Sequence, residues 1–341
     1  MKILRPDEDY GACLCAHRKR KVVPHMERSF SHLILLLRAA LTVGTVSLTM
    51  MLSAPKTTSA HGFAGSRFFP ATLSTDDPFV ADEFSLPTVS RIVTSDGGGT
   101  RDTEVSSDIA LRITPKWDIE FGETFIILNP SQGKAVNGFG NLSIGSKYEF
   151  FENDEHEAVV SLGLGVDVGG TGSKEAGADT FSTWTPGLFF GKGLGDLPQK
   201  WSLLRPLAVT GLIGVAIPSS ARTDGSPNPA VLQWGFAVEY SLIYLQEQVR
   251  DVGLRAPFDR LIPLVEFSFS DPLNRGQSGL TTGTINPGII WSGKYFQVGA
   301  EAVIPINSRT GNDVGFIAQL HFYLDDLFPH SLGRPLFGGT R

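Results

Sequence analysis

Residues 141–168 read NLSIGSKYEFFENDEHEAVVSLGLGVDV. Leu142, Ile144, Tyr148 and Phe150 alternate with Asn141, Ser143, Gly145, Lys147 and Glu149. After the polar break Glu152-Asn153-Asp154-Glu155 the alternation resumes, with Val160, Leu162, Leu164, Val166 and Val168 set against Ser161, Gly163, Gly165 and Asp167. Successive side chains on a strand point to opposite faces, so each run presents one apolar face and one small or charged face. Two such runs joined by a short polar turn predict a long antiparallel hairpin. At about 3.3 Å per residue, strands of roughly 10 to 13 residues reach about 33–43 Å, long for a soluble sheet and suited to a tilted strand crossing a bilayer.

The same period recurs on either side. Val105, Ile109, Leu111 and Ile113 oppose Glu104, Ser106, Asp108 and Arg112, while Ile119, Phe121, Phe125 and Ile127 oppose Asp118, Glu120, Gly122 and Thr124. Trp234, Phe236, Val238 and Tyr240 oppose Gly235, Ala237 and Glu239; Phe296, Val298, Ala300 and Ile304 oppose Gln297, Gly299 and Glu301. Twelve strands are predicted, over 84–93, 104–113, 117–129, 138–151, 156–168, 181–193, 203–217, 231–245, 261–270, 281–291, 295–305 and 314–324. Short turns at 114–116, 152–155 and 292–294 alternate with longer polar or glycine-rich loops. That asymmetry is expected of periplasmic turns and extracellular loops. The connections 194–202 and 246–260 are longer than this scheme asks, and the second is charged enough for an amphipathic periplasmic segment. Trp117, Tyr148, Phe150, Phe151, Trp291, Tyr295 and Phe296 fall near strand ends, where membrane interfaces favour rings. These features predict an all-β chain, an antiparallel up-and-down transmembrane β-barrel of about twelve strands preceded by a signal peptide. The competing architecture is a secreted β-sandwich or soluble barrel.

The rest of the composition fits. The single long apolar run, Ala39–Leu52, follows a basic segment and leads through Lys56-Thr57-Thr58-Ser59-Ala60 into His61, the parts of a secretory leader. The expected organisation is a signal peptide over 1–60, with residues 1–25 reflecting an over-extended start. An N-terminal periplasmic extension over 61–83, the barrel over 84–324 and a C-terminal tail over 325–341 follow. Residues 1–60 hold nine Lys/Arg and four Asp/Glu, a net +5, so with −6 for the whole chain the remainder carries −11. An acidic chain without a basic stripe is a poor partner for nucleic acid. Both cysteines, Cys13 and Cys15, precede the apolar run, leaving the mature part without disulfide or thiolate chemistry.

The polar phase of the strands supplies the candidate lumen: Glu104, Asp108, Arg112, Asp118, Glu120, Lys147, Glu149, Asp167, Glu239, Glu266, Glu301 and His321. Ionisable groups at membrane depth are tolerated when they face water or partners. This phase therefore predicts either a hydrated, cation-leaning lumen or a plugged interior stitched by ion pairs. On this facing, Arg at Leu162 or Leu164 is expected to impair insertion and Arg at Ser161 to be tolerated better. Catalytic, metal and cofactor sites are not expected. The histidines of the mature part, His61, His156, His321 and His330, lie in no recognisable motif, and Glu155-His156-Glu157 reads as a solvated turn. Gly169-Gly170-Thr171-Gly172-Ser173-Lys174 lacks the spacing of a phosphate loop and reads as a flexible external loop.

Several stretches are similar to one family. They are GFGNLSIGSKY at 138–148, SLGLGV at 161–166, FSTWTP at 181–186, FFGKG at 189–193, LRPLAV at 204–209 and FYLDDLFP at 322–329. Over roughly residues 85–337 the chain resembles the outer-membrane barrels named for the MetA pathway of phenol degradation. The resemblance implies an outer-membrane barrel in a Gram-negative-type bacterium that passes small solutes, including hydrophobic or aromatic ones, and it supplies no catalytic residues. The expected partners are outer-membrane lipid, the solute and the barrel-assembly machinery. The alternative function is a structural or surface-interaction barrel with a plugged lumen and working loops.

Overall fold

A computed structural model of the protein describes residues 62–94 and 99–337; the expected leader lies outside them. Twelve long strands form the wall: β1 (Glu83–Thr94), β2 (Thr100–Thr114), β3 (Trp117–Pro130), β4 (Val136–Phe139 continuing as Ser143–Asn153), β5 (Ala158–Asp167) and β6 (Thr183–Gly193). The second half adds β7 (Leu207–Pro218), β8 (Val231–Tyr240), β9 (Leu261–Pro272), β10 (Thr282–Ser292), β11 (Phe296–Pro305) and β12 (Gly315–Tyr323). Each strand pairs antiparallel with its neighbours in sequence, and β12 returns to β1 from Phe316↔Arg91 to Tyr323↔Glu83. The sheet is therefore closed, and no edge remains to template aggregation. Strands of 9 to 15 residues, tilted by about 40°, give a wall tall enough for a hydrocarbon layer of about 25–30 Å.

The strand ends differ from expectation where local chemistry intervenes. The seventh strand begins at Leu207, because Gln199–Leu204 coils into a short 3-10 helix ahead of Pro206. The eighth ends at Tyr240, where the Ser241 hydroxyl accepts the Tyr244 amide at 3.2 Å and starts a helical turn. Helical turns at Leu242–Tyr244, Leu245–Val249 and Phe258–Arg260 occupy the long connection before β9. After β12, the tail turns back under the wall and donates Leu336 and Phe337 amides to the Arg112 and Ile113 carbonyls at 3.0 and 2.8 Å.

Packing is inverted relative to a soluble protein. Leu162, Leu164 and Phe316 are 53%, 47% and 46% exposed, whereas Lys147 and Glu266 are 3% and 0% exposed. Apolar side chains face outward and charged ones inward, which lipid contact requires and water would penalise.

The segment 62–82 is not an appendage outside the wall. It begins with a two-residue ladder, Phe63–Ala64 against Arg67–Phe68. From there it touches side chains of β12, β11, β9, β4 and β5 in turn. A short segment can reach so many staves of a closed cylinder only from within. It enters at the end carrying the short turns, rises to an apex near residues 73–76 and descends to Asp82, where β1 begins. The expectation of a periplasmic extension over 61–83 is thus replaced by an inserted loop that fills the lower lumen.

Candidate functional site

Three sets of contacts seat the inserted loop. At the point of entry, Arg67 is 0% exposed. Its Nε donates to Glu157 Oε2 at 3.1 Å, its Nη1 to the Pro206 carbonyl at 2.9 Å and its Nη2 to the Arg205 carbonyl. The guanidinium lies 3.6 Å over the Tyr244 ring, and the Tyr244 hydroxyl donates to Glu157 Oε1 at 2.6 Å. A buried charge is tolerable only when paired and hydrogen-bonded, and here each of the three guanidinium nitrogens has an acceptor. Glu157, expected in a solvated turn, is instead buried and holds a left-handed φ of 48°. It lies opposite the entering chain, and Arg67 draws it inward.

Apolar contacts come next. Phe68, Leu73, Ile262, Leu264, Ile290 and Tyr323 form one buried cluster; Ala64, Phe69, Phe79, Val159 and Ala208 form a second. The lower lumen therefore has a hydrophobic core between loop and wall. Two glycines make room for it. A Cβ at Gly299 would fall 2.6 Å from Leu73 Cδ1, and one at Gly235 would fall 2.8 Å from Thr75 Cγ2.

At the apex the contacts are ionic and directional. Glu266 accepts the backbone amides of Leu73, Ser74 and Thr75 at 2.7, 3.0 and 2.6 Å, and the Thr75 hydroxyl at 2.7 Å. Charge-assisted bonds from successive amides hold the turn as a backbone nest holds an anion. Lys147 Nζ donates to Asp76 Oδ1 at 3.0 Å and lies 3.4 Å from Glu120 Oε1. Gln297 Nε2 donates to the Ala71 carbonyl at 2.5 Å. Burial holds the neighbouring Asp77 carboxyl well above the usual carboxylate range, against the opposing pull of Lys147. Where the loop leaves, Asp82 receives the Arg112 amide and Nε, both at 2.7 Å.

The other predicted lumen residues are distributed around this loop. Asp118 Oδ1 accepts the Lys147 amide at 2.8 Å, and Glu149 is buried 4.0 Å from Lys116 Nζ. Glu239 and Glu301 are buried on the wall, the latter beside Glu266 and Asn286. Asp108 is exposed to a cavity, Glu104 is half-buried further up, and Asp167 is exposed at the upper end of β5. His321 meets Ser85 and Glu83. Ser161 is the correction among the small residues. It is 0% exposed, and its hydroxyl donates to the Pro78 carbonyl of the inserted loop. An Arg there has no water to enter.

Two cavities adjoin the loop. One of about 310 Å³ runs between the loop and the wall, with Asp76, Asp77, Glu83, Asp108, Glu120 and His321 around it. A second, of about 400 Å³, opens above the apex and is lined by Ser74, Thr75, Gln233, Ser268, Ser270 and Thr284 among others. Among the described residues, no group of three or more His, Cys, Asp or Glu is arranged to hold a metal ion.

Sequence reasoning missed Arg67, Asp76, Asp77, Asp82 and Ser85. The available signal was the pair of apolar steps Phe68-Phe69 and Phe79-Val80, too apolar for a solvated extension.

No family model matches the chain, and no curated protein matches it. Among solved structures, an outer-membrane channel from Pseudomonas putida F1 is similar at 10% identity and a TM-score of 0.51, over 75% of this chain and 98% of that one. The KdgM porin aligns at 11% identity and a TM-score of 0.42, over 70% of this chain and 98% of its own. The NanC porin aligns at 8% and 0.43 over the same shares. At these identities the likeness is one of fold, that of outer-membrane β-barrels.

Proposed function

We propose that this barrel resides in the outer membrane of a Gram-negative-type bacterium and passes small solutes along the side of its inserted loop. The observation that carries this reading is the cavity of about 310 Å³ between loop and wall, continued upward by the vestibule of about 400 Å³. Carboxylates dominate the first cavity, so its field favours cations and neutral solutes over anions. The resemblance to the phenol-degradation barrels suggests aromatic cargo, and a neutral phenol is compatible with this lining. Delivery by a cleaved leader and folding by the barrel-assembly machinery belong to the same proposal.

Conductance across planar bilayers tests it. The full-length barrel should conduct weakly with a cation-directed reversal potential, and Asp76→Asn with Glu120→Gln should reduce that preference. A silent wild type beside a conducting variant that lacks residues 63–81 would establish the second reading, a plugged barrel whose loops do the work. The buried Arg67 anchor favours that second reading.

A further inference from the structure

Where the barrel closes, β1 and β12 set Ser85 directly opposite His321. Ser85 Oγ lies 2.8 Å from His321 Nδ1, and His321 Nε2 lies 3.3 Å from Glu83 Oε2, an ion-pair contact off hydrogen-bond alignment. All three residues line the cavity beside the loop, together with Gln319. Ser85 and His321 are 8% and 2% exposed, so a reagent reaches them through that cavity. The ladder shifts register immediately after Ser85 against both neighbouring strands, an irregularity that re-aims side chains.

The charges assign roles. Carboxylate beside Nε2 favours the tautomer protonated there, which leaves the Nδ1 lone pair to accept the Ser85 hydroxyl. This is the acid–imidazole–hydroxyl order that activates a serine, with the two ring nitrogens exchanged relative to the usual protease arrangement. We propose that Ser85, His321 and Glu83 form a hydrolytic site for small acyl esters entering the lumen. Ser85 Oγ attacks the acyl carbonyl while His321 Nδ1 takes its proton. The ester C–O bond breaks, and the alcohol leaves carrying that proton. A water molecule, deprotonated by the same nitrogen, attacks the acyl–Ser85 carbonyl; the carboxylic acid departs and the serine recovers its proton. Gln319, two residues before His321 and bonded through Nε2 to Thr88 Oγ1 at 3.3 Å, presents its amide on the same cavity wall for the developing oxyanion. A volume of 310 Å³ is at the small end of ligand sites, which run from about 300 Å³ upward. The acidic lining selects short, neutral or cationic esters over fatty-acyl anions.

The test uses the full chain, expressed with its own leader, purified in mild detergent and shown to be folded by its heat-shift on gels. A fluorophosphonate probe should form an adduct at Ser85, located by peptide mass spectrometry. Turnover of p-nitrophenyl acetate should fall by about 10²-fold or more in Ser85→Ala and His321→Gln. Glu83→Gln, a positioning change, should keep the adduct and move the pH profile of turnover. A folded wild type with no Ser85 adduct, or turnover unchanged in Ser85→Ala, overturns the site and leaves the Ser85–His321 bond as a stitch between the first and last strands. Both readouts work in detergent without flux. A barrel that conducts but does not label therefore sinks this site alone, and one that labels but does not conduct sinks the passage reading alone.

Discussion

The two halves of the lumen are built on the same strands and do opposite things. Below the apex, the inward phase meets a second piece of chain: Arg67 is paired, Phe68 and Phe69 are buried among wall residues, and Glu266 clasps three successive amides. Above it, Ser, Thr, Gln and Gly of the same phase line a vestibule of about 400 Å³ on one side of the lumen, while Glu104 and Asp167 lie elsewhere on the upper wall. A barrel interior is thus a core or a pore according to what the chain places inside it, not according to the period of its wall. Charge also differs between the seat of the loop and the lining of the vestibule. Lys147 and Arg112 meet carboxylates of the lower loop, while the vestibule is lined by uncharged polar groups and aromatic edges.

The largest blow to this contrast is Arg67→Ala. It leaves Glu157 buried without its cation, a loss of about 3–5 kcal/mol by analogy with broken buried pairs. The lower lumen should then behave like the upper: residues 62–82 become cleavable by added protease in the intact, unboiled barrel, and conductance rises. Continued protection would mean that the apolar clusters alone hold the loop. Next come substitutions on the two faces of β5. Leu164→Arg places a charge in lipid at about 2–4 kcal/mol near the midplane and should lower membrane yield. Ser161→Arg should fail as well, because it collides with Pro78, and it should recover in a barrel lacking residues 63–81, whereas Leu164→Arg should not. Equal behaviour of the two variants in both backgrounds would remove the distinction between wall and filling.

Glu266→Gln is a finer cut. It keeps an acceptor but discards the charge behind three amide bonds, a cost of about 1.5–3 kcal/mol. The temperature at which the unboiled band disappears should fall, with the fold intact. The smallest effect belongs to Asp77. Burial raises its folded pKa above the ordinary 3.8, Asp76 and Glu83 push the same way, and Lys147 opposes them. A carboxyl raised on folding favours the seated loop most below that ordinary value. The seat weakens as pH climbs from there through the raised value, where Asp77 ionises. Asp77→Asn should flatten this dependence and slow proteolysis of the loop at neutral pH; an unchanged pH profile would remove Asp77 from the balance.

The wall was legible because its code is local. A period of two over Asn141–Val168 says which side chains share a face, and closing the cylinder adds no new requirement on any one strand. The inward carboxylates were legible for the same reason. What they touch was not. Residues 62–82 carry no period, and their partners lie far along the chain, so the stretch read as a periplasmic extension and nothing marked Asp76 and Asp82 as counter-ions of Lys147 and Arg112. Small residues misled in a related way. Ser161, Gly235 and Gly299 suit a water-lined face, yet the inserted loop passes against each of them. Ser85 and His321 carried no motif, since a pair made by closure joins opposite ends of the barrel sequence.

The inserted loop also constrains the order of assembly. Arg67 waits for carbonyls 138 and 139 residues downstream, Leu73 for a carboxylate 193 residues away and Ala71 for an amide 226 residues away. Synthesis delivers the filling first and most of its mould afterwards, and the cylinder is complete only when β12 pairs with β1. Non-local pairing of this kind is slow. The loop must therefore be inside before the seam shuts or thread through a finished ring, so the seam between the first and last strands and the seating of their passenger are steps of one assembly problem.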